Sequence, residues 1–148
     1  MGWWSETVMG GDTPLDYKGF LCDAMGVPFD YKFTAEHLGK HMPAVVRAAE
    51  GLKDPIAFQV LGVMILESGA ECPDDLKARI VDATKADEWA KNGDAVRIRH
   101  MTDLATKICL HTPGTTVEVP SEGLFDKFAE MIESGSEPGL VNKNRGRK

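Results

Sequence analysis

The chain has 148 residues, 43% of them apolar, and a formal net charge of −6, which fits one folded domain with its own core and excludes a globally disordered chain. The charge is uneven: the last seven residues hold four of the 17 basic side chains, Lys143, Arg145, Arg147 and Lys148, and no acid. The remainder carries 13 basic against 23 acidic residues, which excludes a broad nucleic-acid surface, because such a surface needs Lys and Arg to displace counterions from phosphates.

Cys22, Cys72 and Cys109 are odd in number and widely spaced, with no CxxC pair, so a structural zinc finger or a thioredoxin-like motif is not expected. No segment reads as a signal peptide. The longest apolar run, residues 60–66, is too short to span a bilayer. These features predict a cytoplasmic protein with reduced thiols.

The first sixteen residues combine Trp3, Trp4, the Gly10-Gly11 pair and a helix start at Thr13-Pro14-Leu15-Asp16. Threonine is expected to cap, proline to take the first helical position and Asp16 the third. Tyr17, Phe20, Leu21, Ala24 and Met25 continue at helical spacing, and Gly26 with Pro28 ends the helix. The aromatic stretch over residues 29–33 reads as an extended connector. Thr34 is expected to cap a helix carrying His37, Leu38 and His41, with Pro43 kinking it or starting another and Gly51 closing it.

Asp54-Pro55 is a second cap-plus-proline start. The helix after it is apolar on most of its circumference, through Ile56, Val60, Leu61, Met64 and Ile65, which predicts a central element ending at Gly69. Pro73 opens a helix with Asp74 and Asp75 in its first turn, and Leu76, Ile80, Ala83 and Trp89 are expected to share its inner face. After the Asn92-Gly93 turn, Asp94 is expected to cap a helix with Val96, Met101, Leu104, Ala105 and Ile108 inward and Arg97, Arg99 and Lys107 outward. That basic face is expected to pair with the acidic stretch over residues 82–88 at the surface. Residues 112–116 break the pattern, Val117 and Val119 read as a short strand or strap, and Leu124, Phe125, Phe128, Ala129 and Ile132 lie on one face of a final helix.

The expected fold is therefore mainly α: a single compact domain of six to seven short helices over residues 1–133, with at most a minor β element. Residues 134–148, rich in Gly, Ser, Pro and then basic residues, read as a flexible tail.

Candidate chemistry is sparse. His37 and His41 stand four apart, so a helix puts both on one face, close enough to share a metal with Asp30, Glu36 or another carboxylate. The residue after the first His is Leu38, not the Glu of zinc proteases. Asp12 and Asp16 are also four apart and can hold Mg²⁺ or act as an acid–base pair, although each has a job at the helix start. Cys109 near His111 suggests a nucleophile and base, but the period of the helix predicts Cys109 to be a buried small hydrophobe. Trp3, Trp4 and Trp89 can stack a ligand or close a core edge.

The opening Met-Gly-Trp-Trp, the Gly10-Gly11-Asp12-Thr13-Pro14 helix start, the Val60-Leu61-Gly62 run, the segment over residues 69–76, Trp89 and Arg99 occur in one order over residues 1–110. In this order the chain resembles a group of small uncharacterised proteins of bacteria and their phages that begin Met-Gly-x-Trp. The second Trp and the stretch after Thr112 depart from that pattern. The resemblance implies a helical domain of phage or mobile-element origin that binds a host protein, and supplies no mechanism.

The expected function is thus a small protein-interaction or regulatory module without catalysis or cofactor, with Trp3, Trp4, Asp12 and Asp16 as its binding residues. The alternative is a metal-dependent hydrolase or nuclease-like enzyme using His37 and His41 with Asp12 and Asp16. A third expectation is a homodimer through Trp3 and Trp4.

Overall fold

Each helix starts and stops where local chemistry allows, and packing against one apolar helix orders the set. A computed structural model describes residues 7–28, 32 and 34–119. Among them lie six helices: α1 (Asp12–Ala24), α2 (Ala35–Leu52), α3 (Pro55–Ser68), α4 (Asp74–Lys85), α5 (Glu88–Lys91) and α6 (Ala95–Leu110). No strand or sheet occurs among the described residues, and the protein is a mainly α packing of helix on helix. Trp3, Trp4, Asp30, the residues of the expected final helix and the basic tail lie outside the described residues, as does most of the aromatic connector.

Helix α3 is the centre. Ala57 and every residue from Gln59 to Leu66 are buried, and α1, α2, α4 and α6 all pack on it. A helix apolar on every side has no stable exposed face, so neighbours must surround it. Gly62 permits the close approach: a Cβ there would stand 3.0 Å from Ile80 Cγ2 of α4 and 3.6 Å from Leu104 and Ile108 of α6. Met101, Leu104 and Ile108 then seal that side, while Leu21, Cys22, Leu38, Val45 and Ala49 seal the other.

Several expected boundaries hold. Thr34 Oγ1 accepts from the His37 N–H at 3.1 Å, Asp54 Oδ1 from the Ile56 N–H at 3.0 Å and Asp94 Oδ1 from the Arg97 N–H at 3.0 Å. Each cap satisfies a backbone donor that the first turn leaves free. Gly69 closes α3 in the left-handed conformation, φ 80°.

Others are corrected. Helix α1 begins at Asp12, with extended Gly11 before it and no side-chain cap. Thr13 is therefore the second helical residue, Pro14 the third and Asp16 the fifth. The first turn has no intrahelical acceptors for its N–H groups, so proline is tolerated anywhere in it, and the start moves back without loss. Helix α2 runs unbroken through Pro43, carried by the burial of Leu38 before it and Val45 and Ala49 after it. It ends beyond Gly51, at Lys53, which adopts the left-handed conformation with φ 54°.

Helix α4 stops at Lys85, so Trp89 sits on α5, half-buried, and donates its indole N–H to Asp94 Oδ2 at 2.9 Å. Residues 115–119 form an extended strap, not a strand. The Gly114 N–H donates to Gly69 O and the Val117 N–H to Leu66 O, each at 2.8 Å, and Val119 is buried at the far end.

Candidate functional site

Helix α1 shows its two faces to different surroundings. Inward, Pro14, Leu21 and Cys22 are buried. Tyr17 donates its hydroxyl to Asp54 Oδ2 at 2.8 Å, tying α1 to the carboxylate that caps α3. Burial, and then this bond to an anion, push the Tyr17 phenol up to about 12. The tie fixes how α1 is rotated on the core.

That rotation turns Asp12, Leu15, Asp16, Gly19, Phe20 and Asp23 outward, where they line an open depression of about 470 Å³. Their spacing puts them within one arc of the helix. Asp12, Asp16 and Asp23 are exposed, and none of these lining residues is basic. Between them Phe20 keeps 53% of its surface in solvent, the most exposed aromatic side chain among the described residues. Gly19 adds no side chain beside it. The sequence marked Asp12 and Asp16; it missed Phe20 and Asp23, because helical spacing alone lets Phe20 lie on either flank of the apolar arc.

The expected metal pair meets on α2, with the His37 and His41 rings 4.9 Å apart, centroid to centroid. No group of three His, Cys, Asp or Glu side chains able to hold a metal ion forms among the described residues. Cys109 and His111 face different surroundings. Cys109 is exposed, contrary to expectation, because the buried stripe of α6 runs through Met101, Leu104 and Ile108 and the next residue turns away from it. His111 is buried and donates Nε2–H to Ala70 O at 2.6 Å, which holds the end of α6 against the loop before α4. The other two thiols are buried, and burial pushes Cys72 up to about 11, far from a nucleophilic thiolate.

The largest departure is Arg97. It was expected outside, and it is fully buried. Its Nε donates to Asp87 Oδ1 at 3.1 Å, and its Nη2 to Asp87 Oδ2 at 2.7 Å and Gln59 Oε1 at 3.3 Å. Its Nη1 donates to Thr7 O at 3.0 Å, and the guanidinium lies 5.0 Å from the Trp89 ring centroid. Gln59 Nε2 returns bonds to Asp87 Oδ2 at 3.0 Å and Ala83 O at 3.1 Å, and the Ala90 N–H donates to Asp87 Oδ1 at 2.9 Å.

The acidic stretch over residues 82–88 does pair with α6, but in the core and through one carboxylate. Burial alone would raise the Asp87 carboxyl; the donors from Arg97, Ala90 and Gln59 outweigh it and hold it below the usual carboxylate range. With every group answered by a partner, the cluster is a structural lock joining the segment before α1 to α3, α5 and α6. Its signal in the sequence was Gln59, the one polar residue in the buried stretch of the most apolar helix, together with Arg97 lying four residues before Met101 on the buried stripe. Of the remaining basic face, Lys107 pairs with Asp103 at 2.9 Å on its own helix.

No family model, curated protein or solved structure matches the chain. No helix among the described residues is long and apolar enough to cross a membrane.

Proposed function

We propose that the chain is a protein-interaction module that receives its partner on the outer face of α1. One observation carries this reading: Phe20 stands exposed at 53% in a depression rimmed by Asp12, Asp16 and Asp23. Two features of that arrangement, the exposed ring and Asp23, work against the stability of the isolated fold. An exposed aromatic ring forgoes the free energy of burial. Asp23 lies in the last turn of α1, beside the negative end of the helix dipole, where a carboxylate is unfavourable. Local choices that cost stability on one continuous face are expected where a surface serves binding. An aromatic side chain inside a polar rim is also the usual anatomy of a protein-binding patch.

The test is affinity capture from a bacterial lysate with the full chain, a Phe20→Ser variant and a copy lacking residues 136–148. A stoichiometric protein held by the full chain and the shortened copy, and lost with Phe20→Ser at unchanged helicity, is the expected result. Equal capture by the full chain and Phe20→Ser would refute a binding role for this face.

A further inference from the structure

The chemistry of the α1 face narrows the class of partner. We infer that the depression takes a basic, amphipathic protein segment, one apolar side chain seating beside Phe20 while Lys or Arg side chains meet Asp12, Asp16 and Asp23. This inference rests on the interaction reading above and assigns the occupant that reading leaves open.

The three carboxylates share one arc of α1, with Phe20 at its edge. Asp12 and Asp16 lie one helical turn apart toward the start of α1, Phe20 follows one turn later, and Asp23 closes the far end. The face is thus negative along about three turns of helix, with Leu15 and Phe20 as its apolar residues. A neutral apolar partner would have to desolvate or avoid three carboxylates. An acidic partner would place like charges against them, which suppresses association by itself. A basic partner with one apolar anchor satisfies both components at once. Outside its last seven residues the chain is acidic overall, which extends attraction for such a partner beyond contact range and speeds encounter.

The deciding experiment uses the full chain and three labelled synthetic helical peptides of equal length: Lys/Leu, Glu/Leu and uncharged Gln/Leu, followed by fluorescence anisotropy at low and high salt. Four proteins are compared: the native chain; D12N/D16N/D23N; Phe20→Ser; and a control, E71Q/D82N/E88Q, that removes three exposed carboxylates elsewhere.

The expected result is selective binding of the Lys/Leu peptide. The α1 carboxylate variant weakens it roughly tenfold, three exposed charge contacts each contributing about a twofold factor. Phe20→Ser weakens it as well, the control changes it less than about twofold, and salt erodes it. Three results would overturn the assignment. Equal loss in the control variant would show a response to net charge only. Binding of the Gln/Leu or Glu/Leu peptide as tight as the Lys/Leu peptide, lost with Phe20→Ser but not with the carboxylate variant, would keep the interaction surface and reject a basic partner. No peptide binding, with a doubled solution mass that Phe20→Ser restores to a monomer, would give the face to a second copy of the chain.

Discussion

Asp87 and Arg97 meet as a two-point ion pair inside the core, Nε to Oδ1 at 3.1 Å and Nη2 to Oδ2 at 2.7 Å, with both side chains at most 2% exposed. The pair joins the cap of α5 to the inner face of α6, and Arg97 reaches on to the Thr7 carbonyl. A buried pair of this kind is weak support for net stability, since desolvation offsets most of the attraction. Removing one partner is different, because it strands the other charge.

Arg97→Met should therefore destabilise the protein by about 3–5 kcal/mol. Arg97→Lys should recover only part of this, since an ammonium cannot reproduce the planar fork that contacts Asp87, Gln59 and Thr7 together. Urea unfolding followed by circular dichroism measures both. A loss below about 1 kcal/mol for Arg97→Met would show that the lock is dispensable.

The same pair sets an acid dependence. The Asp87 carboxyl is held below its ordinary value in the folded protein, so the unfolded chain binds that proton more readily. The associated stability is fully present above the unfolded carboxylate value of about 3.9 and is lost as pH falls through the lower folded value. Asp87→Asn should be less stable than the native chain at neutral pH, and the gap should narrow on acidification below about pH 4. Thermal melts of both proteins across this range provide the check; a gap independent of pH would mean that Asp87 acts through packing and not through its charge.

The caps separate true helix starts from apparent ones. Thr34→Ala should cost about 1 kcal/mol, because it removes the acceptor of a first-turn N–H, and Asp54→Ala should cost more, because it also strips the Tyr17 hydroxyl of its acceptor. Thr13→Ala should stay within about 0.5 kcal/mol, since Thr13 lies inside α1 and caps nothing. A loss at Thr13 equal to that at Thr34 would return the start of α1 to the threonine.

Cap chemistry is local, which is why so much of the helical order was legible. Thr34, Asp54 and Asp94 need only the N–H two or three residues ahead, and Gly69 needs only its own backbone freedom. Thr13 misled because proline is compatible with several positions of a first turn, and the sequence does not rank them. The candidate site was half legible: the four-residue spacing of Asp12 and Asp16 is visible in the chain, whereas Phe20 belongs by spacing to either flank of the apolar arc. The docking of Tyr17 on Asp54, 37 residues away, together with the burial of Leu21 and Cys22 in the core, goes with the flank that faces solvent.

The sequence by itself determined a mainly α chain around one helix apolar on most of its circumference, because the apolar stretch of α3 has no face that water can hold and must be enclosed whatever its neighbours are. Tertiary structure alone decided the fate of residues at the edges of the other helices. Arg97 turns inward only because Gln59 and Asp87, on separate elements, answer its donors, and Cys109 turns outward because the buried stripe passes it by. Phe20 is left in solvent for the same reason: where a borderline side chain goes depends on partners brought close by packing, and no local periodicity contains them.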